Sequence, residues 1–340
     1  MMRRMRKGQV QRKPTIRDIA RQVGVSTTTV INVLKGRASE VSPATAEKIQ
    51  KTVQRLGYVK NLTASALSTR QSHVIAVVIA GAFHPDEEER SMDINPFYGD
   101  FVFRLEHEAR ARGYSLSLYA GDEGEAMKFL LERQHDAVVV LGVTGAHLPE
   151  QIASYRMHLI LMDSFVDRGE FTRVCGDEEA GGAIGVRHLA DRGCRKLAFV
   201  GDAHPEWPTL IPTIRYNAAL AAARKAGVSL DLVQVATSFR AGAAATDAVL
   251  SKGYDGVVAA ADIVAVGLVQ GLRHQGVDVP GRVAVVGYDN LLVARTCIPN
   301  LTTVDQRLND KVRAVLDLVQ NPHHGKLVRI QPELVVRESA

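Results

Sequence analysis

Thr15-Ile16-Arg17-Asp18-Ile19-Ala20-Arg21-Gln22-Val23-Gly24-Val25-Ser26-Thr27-Thr28-Thr29-Val30-Ile31-Asn32-Val33-Leu34 is the stretch whose reading decides the amino-terminal fold. Thr15 followed three residues later by Asp18 is a capping-box pattern and predicts a helix beginning at Ile16. Ile19, Ala20 and Val23 then fall on one helical face, and Gly24 is suited to end it in the left-handed conformation. Ser26 is a good N-cap for a second helix over 27–35, with Val30, Val33 and Leu34 as its buried stripe and Gly36 as its stop. Ser42 with Pro43 at the first helical position opens a third helix. Ala46, Ile49, Val53 and Leu56 repeat along that helix, and Gly57 closes it. Three short helices, the first two joined by a very tight turn, follow the helix-turn-helix plan. The second helix carries Thr27, Thr28, Ile31 and Asn32 on its outer side. Hydroxyls and an amide reach base edges and phosphates without bulk.

A three-helix protein-interaction module would show the same pattern, and charge separates the two readings. Residues 1–60 hold 14 Lys and Arg against 3 Asp and Glu, a net of +11. The remainder holds 28 basic against 34 acidic residues, a net of −6. A small basic module ahead of a mildly acidic body points to a polyanionic partner, nucleic acid in the first instance.

Outward from the head, Asn61 is placed to cap a helix of two turns ending near Leu67. A helix that short is marginal alone in water. Its residues are small except for Leu67, so it is expected to order only when something packs on it. Ser68 to Ser72 reads as a polar linker.

From His73 the pattern changes to short apolar runs alternating with helical segments. The runs are 74–80, 116–120, 137–141 and 159–162, then 197–200, 232–236, 256–260 and 283–287. Helical segments at 99–112, 179–192, 214–226, 241–252 and 263–275 lie between them. This alternation predicts parallel sheets with helices on both faces, in two similar lobes. The fold expected is a small all-α helix-turn-helix head (14–60), a hinge and linker (61–72) and an α/β two-lobed body (73–340). Ligands in such sheets bind outside the carboxyl ends of the strands. Asp163, Asp202, Asp262 and Asp289 stand at those ends.

Other classes find little support. The strongest apolar stretch, 74–83, is too short to span a bilayer, and the basic amino terminus has no apolar run behind it to make a secretory signal. Cys175, Cys194 and Cys297 are scattered and odd in number, so neither a disulfide framework nor a metal site is expected, and a reducing cytosol suits them. No phosphate loop, dinucleotide fingerprint, zinc-protease motif or nucleophile elbow occurs. No catalytic residue, metal or cofactor is therefore expected. His323-His324 reads as a solvated turn. The acidic stretch 84–93 reads as a surface loop, with a cleft lid or partner-binding loop as the sharper alternative.

The residues also carry a resemblance. Thr15 to Ala20, Gly24-Val25-Ser26, Thr29-Val30, Val33-Leu34, Leu56-Gly57-Tyr58 and Asn61 to Leu67 resemble the lactose-repressor family of bacterial transcription regulators. Asn95-Pro96-Phe97-Tyr98, Asp177 with Gly181 and His188-Leu189, Val286-Gly287-Tyr288-Asp289, Leu301-Thr302-Thr303-Val304 and Val336 to Ser339 extend it over about residues 14–340. The resemblance implies a cytoplasmic repressor that binds a pseudo-palindromic double-stranded operator as a homodimer. It implies base contacts from Thr27, Thr28 and Asn32, backbone contacts from Thr15, Ser26 and Thr29, and a DNA-binding role for Tyr58. The hinge would supply Asn61, Ala64 near the bases in the minor groove, and Leu67 as the wedge at a central step.

The body is similar to periplasmic sugar-binding proteins. That likeness implies a small-molecule effector, a carbohydrate or nucleoside-like compound, between the lobes. Phe97, Tyr98, Asp163, Arg215, Phe239, Asp262 and Asp289 are the effector-binding candidates. The first lobe would comprise about 73–172 plus 306–322, and the second about 173–305 plus 323–340. The chain departs from the family pattern where Ile31-Asn32 replaces Ser-Arg, Lys60 replaces proline and Ala261 replaces asparagine. Three other readings share parts of this pattern: a transporter's solute-binding protein, an enzyme fused to a DNA-binding head, and a regulator answering to a protein. The basic head and the missing nucleophile motif count against the first two.

Overall fold

Thr15 closes a full capping box: its hydroxyl accepts from the Asp18 amide and donates to the Asp18 carboxylate at 2.6 Å, while the Thr15 amide donates to the same carboxylate at 2.9 Å. The computed structural model describes residues 14–34, 36–37, 41–58, 71–80, 95–121, 123–142, 158–164 and 170–340. The chain divides into two units, residues 1–70 and 71–340.

In the first unit α1 is Ile16–Val23, α2 Thr27–Leu34 and α3 Pro43–Leu56. Gly24 and Gly57 end α1 and α3 at φ of 77° and 60°, where a side chain would be strained. Ser26 and Ser42 cap α2 and α3 through the Thr29 and Thr45 amides. Ile19, Val30 and Ile49 have no exposed surface and form the centre of the head, with Val53, Leu56 and Tyr58 packed round them. This is the helix-turn-helix that the caps predict.

In the second unit the elements in chain order are β1 Val74–Ala80, α4 Pro96–Ala111, β2 Ser115–Gly121, α5 Glu123–Leu131, β3 Ala137–Leu141, β4 Leu159–Met162 and β5 Thr172–Gly176. There follow α6 Glu178–Asp191, β6 Lys196–Gly201, α7 Ile211–Ala226, β7 Ser229–Gln234, α8 Phe239–Ala244, α9 Thr246–Ser251, β8 Gly256–Ala259 and α10 Asp262–His274. The last are β9 Ala284–Asp289, α11 Leu292–Thr296, β10 Thr302–Asp305, α12 Leu308–Gln320, β11 Leu327–Ile330 and β12 Glu333–Val335.

Among the described residues two six-stranded sheets result, ordered β11-β5-β4-β3-β1-β2 and β12-β10-β9-β8-β6-β7. Every pairing is parallel except β10 with β12. Central strands such as β3 and β9 are buried along their whole length, as strands covered by helices on both faces must be. Each sheet has a core on either face; on the first, one core gathers β1, β3, α4 and α12 and the other β1, β3, β4 and α5.

The sheets correct three expectations. Each lobe holds six strands rather than four, because β5, β10, β11 and β12 are three to five residues long and give no long apolar run. Two of the three lobe limits shift, since β5 and β11 both belong to the first sheet: the first and last crossings lie at Asp177 and after Ile330, while the middle one stays between β10 and α12. The helix expected over 241–252 is two, α8 and α9, meeting at Ala245. Among the described residues no helix is long and apolar enough to cross a membrane. All three cysteines are free.

Candidate functional site

The carboxyl ends of both sheets deliver charged side chains to the seam between the lobes. Asp163 follows β4, Glu178 follows β5 across the crossing, Asp289 ends β9 and Gln306 follows β10. Asp163 and Asp289 are held at φ of 48° and 123°, and Asn290 at 58°, in backbone regions that side chains seldom occupy. Strain of this kind collects at binding sites, where surrounding contacts over-determine the conformation.

Two buried ion pairs organise this region. Arg215, on the first turns of α7, donates from Nε to Glu178 Oε2 at 2.6 Å and from Nη1 to the Ala260 carbonyl at 2.7 Å. Its guanidinium lies 3.5 Å from the centroid of the Tyr288 ring, and the Tyr288 hydroxyl donates to the same Glu178 oxygen at 2.9 Å. Gly181 and Gly182 make this possible. A Cβ on Gly181 would lie 2.0 Å from the Tyr288 hydroxyl, and one on Gly182 would lie 2.3 Å from the Arg215 carbonyl oxygen. Burial alone would discourage ionisation of Glu178, but Arg215 and Lys311 outweigh it and hold the carboxyl below its ordinary value.

The second pair is Lys311 with Asp163, at 2.8 and 2.9 Å to the two oxygens. Lys311 also donates to Gln306 Oε1 at 2.5 Å, and the Gln306 amide donates in turn to Asp289 Oδ1. Asp163, on the first sheet, is thus linked through α12 to Asp289 on the second. Asp289 has a second oxygen, Oδ2, that is buried without a protein partner. Burial pushes its carboxyl up to about 7, against the pull of Arg215 and the Gln306 hydrogen bond. Tyr98, at the start of α4, feels Asp163, Asp289 and Arg215 together, and burial with the two carboxylates pushes its phenol up.

Of the seven effector candidates, four are therefore in one electrostatic group: Tyr98, Asp163, Arg215 and Asp289. The other three stand apart from its hydrogen bonds, although the Asp262 carboxylate faces Asp289 and the centroid of the Phe97 ring lies 5.8 Å from Lys311 Nζ. Asp262 has no exposed surface; its oxygens accept from Thr303 Oγ1 at 2.6 Å and the Leu291 amide at 2.8 Å, so it ties β8 to β10 and to the turn after β9 rather than walling the cleft. Phe97 packs inside the first-lobe core with Phe101, Leu105 and Val312, because the ring follows the apolar side of α4. Phe239 is half-buried at the start of α8, its carbonyl against Gly267. Asp202, also at a strand end, accepts from His204 Nε2 at 2.9 Å on the loop after β6.

Four residues absent from the sequence expectation complete the group: Glu178, Tyr288, Gln306 and Lys311. Lys311 left a signal, since it falls on the apolar stripe of α12 between Leu308 and Val315, where a lysine is out of place. A surface groove of about 710 Å³ between α6 and α7, lined by Ala183, Arg187, Ala218, Ala222 and Lys225, shares no residue with the group.

On the head, Thr27 and Thr28 are exposed at the first turn of α2, and Asn32 is half-buried one turn on. Thr15 spends its hydroxyl in the α1 capping box. Ser26 and Thr29 share one hydrogen bond of 2.8 Å, which uses one of their two protons and leaves the other for an outside acceptor. Tyr58 packs its ring on the head core, and burial pushes its phenol up. Asn61, Ala64 and Leu67 lie outside the described residues, as does the acidic loop 84–93.

Comparison with known proteins addresses the family and the fold. Residues 15–61 match the family model for bacterial regulatory proteins of the lacI family, and residues 186–340 match the periplasmic binding protein-like domain. The ribose operon repressor of Escherichia coli (strain K12) is 27% identical over 344 residues, covering 96% of this chain and 99% of that protein. A solved complex of the transcriptional regulator CelR with cellobiose is 26% identical, with a TM-score of 0.68, covering 96% of this chain and all of that one. A lac repressor dimer bound to operator and the anti-inducer ONPF is 22% identical, with a TM-score of 0.78 over 96% of this chain and 99% of that chain, and so shares the fold. The chain belongs to the lacI family of bacterial regulatory proteins and is a DNA-binding transcription regulator, not an enzyme.

Proposed function

We propose that this regulator is a repressor that binds a pseudo-palindromic operator as a homodimer in the cytoplasm and answers to a small polyhydroxylated effector, a sugar or nucleoside-like compound, between the lobes of its body. The observation that carries the effector reading is the convergence of Arg215, Tyr98 and Asp289 at the carboxyl ends of two parallel sheets, with Asp289 keeping an unpartnered buried oxygen. A guanidinium and a carboxylate together suit neighbouring hydroxyls. The ribose operon repressor and the CelR–cellobiose complex lend the carbohydrate class.

The DNA reading rests on the head. Its net charge of +11 supplies phosphate affinity, and α2 offers Thr27, Thr28 and Asn32 to base edges. Thr15, Ser26 and Thr29 are assigned to the backbone, and Tyr58 to DNA binding. Asn61, Ala64 and Leu67 are assigned to a hinge helix that forms in the minor groove against its mate. The effector acts by favouring one lobe arrangement over another, which changes how the two hinges present themselves.

Selection of bound duplexes from a random pool tests the reading. Enrichment of a palindrome with a deformable central step supports it, and no palindrome at physiological salt overturns it. Leu67→Ala should weaken the selected site far more than random DNA; equal losses on both would remove the wedge from the mechanism.

A further inference from the structure

We propose that the effector is an amino polyol: a polyhydroxylated molecule carrying an ammonium group that sits against Asp289. The proposal rests on the cleft being the effector site and names the chemistry it selects.

The argument is an inventory of donors and acceptors. Lys311 has three N–H donors, and all three are spent, two on Asp163 and one on Gln306. Arg215 is committed to Glu178 and the Ala260 carbonyl. Each buried cation thus already has its own carboxylate. Asp289 is the carboxylate left over. It is 4% exposed, and its protein partner is the neutral amide of Gln306 on one oxygen. The other oxygen is buried with no partner, and so is Glu178 Oε1 in the same group.

The two orphan atoms are both acceptors on acids, and each buried cation already sits on another carboxylate oxygen. A buried unpaired carboxylate is costly, and a hydroxyl would supply a hydrogen bond without neutralising the charge. An ammonium supplies both, and charge-assisted bonds are the stronger kind. The hydroxyls of the same molecule have partners as well. Arg215 uses two of its five N–H donors on protein atoms, leaving three for ligand oxygens. Ala261 is an alanine, so it contributes no side-chain donor of its own at the end of β8. An anionic ligand meets the opposite situation, since Asp289 and Glu178 would repel it and the cations are already matched.

The test is a calorimetric titration of the full-length protein with matched hexoses that differ at one position: amino, hydroxyl, N-acetylamino and carboxylate. Several amino hexose stereoisomers are included. The expected result is that an amino hexose binds at least about ten-fold more tightly than its hydroxyl and N-acetyl counterparts and releases the selected operator. Asp289→Asn, nearly the same shape and still able to accept from Gln306, should erase that preference while the melting temperature shows the protein folded. Tighter binding of a hydroxyl or carboxylate counterpart overturns the ammonium but keeps the cleft, provided Asp289→Asn alters that affinity. Binding that is indifferent to Asp289→Asn overturns the cleft reading itself. No binding by any amino hexose at ~10 mM also overturns the proposal.

Discussion

Lys311 Nζ grips both oxygens of Asp163, at 2.8 and 2.9 Å, with no exposed surface on the lysine side chain. The pair joins the far end of β4 to α12 under the seam of the two lobes. Removing one partner of such a pair strands a buried charge, which costs about 3–5 kcal/mol. Lys311→Met should therefore lower the stability of the body by an amount of that order. Lys311→Met with Asp163→Leu removes both charges and should recover most of the loss. Urea unfolding followed by far-ultraviolet circular dichroism reads both. A double variant no better than the single one would show that the lysine acts by packing rather than by charge.

Asp289 should make stability depend on pH in an unusual direction. Its carboxyl is raised from 3.8 to about 7 by burial. The charged or titratable groups that face it are Arg215, Lys311, Glu178, Asp262, Tyr98 and Tyr288, with Gln306 as hydrogen-bond donor. Between about pH 4 and 7 the folded chain keeps a proton that the unfolded chain has released. This group's contribution is then present at low pH and is lost as pH rises through 7. Asp289→Asn abolishes that loss. The melting temperature of the variant relative to the parent should rise between pH 5 and pH 8, by a free energy on the order of 1–3 kcal/mol. A difference that stays flat across the range would place the proton elsewhere.

The sequence carried the head almost completely, because caps are local. Thr15 with Asp18, Ser26, Ser42-Pro43 and the two stop glycines each act within four residues, and each appears as read. Strand-helix alternation likewise announced two parallel sheets. The short strands β5, β10, β11 and β12 were not legible, since their partners are far away in the chain and their length gives no period. In the cleft, Asp289 stands at a strand end, whereas Arg215 on α7 is marked only by the family resemblance. Of their partners, Glu178 is an acid at a helix start and Gln306 follows a short strand, positions that carry no local mark of a site. Which carboxylate pairs with which cation is a fact of tertiary geometry, and Asp262 shows it: the strand-end position suggested a ligand contact, but Thr303 and the Leu291 amide occupy it.

Asn32 should set the base preference of each half-site. An amide can pair with the two major-groove edge atoms of adenine, whereas arginine fits guanine. Asn32→Arg is expected to move the preferred base at one symmetric position from adenine to guanine, with discrimination of about 1–3 kcal/mol. The added positive charge should strengthen random binding only slightly. Selection from random duplexes with parent and variant decides the point. An unchanged logo would mean that Asn32 faces the phosphates or the head rather than a base.

Gly182 gives the means to separate the cleft from the head. Its position on α6 lets the Arg215 backbone approach so closely that an added Cβ would lie 2.3 Å from the carbonyl oxygen and 2.8 Å from Cα. Those neighbours are backbone, so α7 itself must move. Gly182→Ala should pull Arg215 from Glu178 and from the ligand position, costing about 1–3 kcal/mol of body stability by overpacking. Effector response should fall more than ten-fold, while operator affinity without effector changes little. Gly185 is the control one turn further on: there a Cβ would meet Val258 and Val286 methyls at 3.3 Å, which give way more easily. Gly185→Ala should keep the effector response. If both variants lose it equally, the effect is a general loosening of the α6–sheet contact, and Arg215 is not the residue through which Gly182 acts.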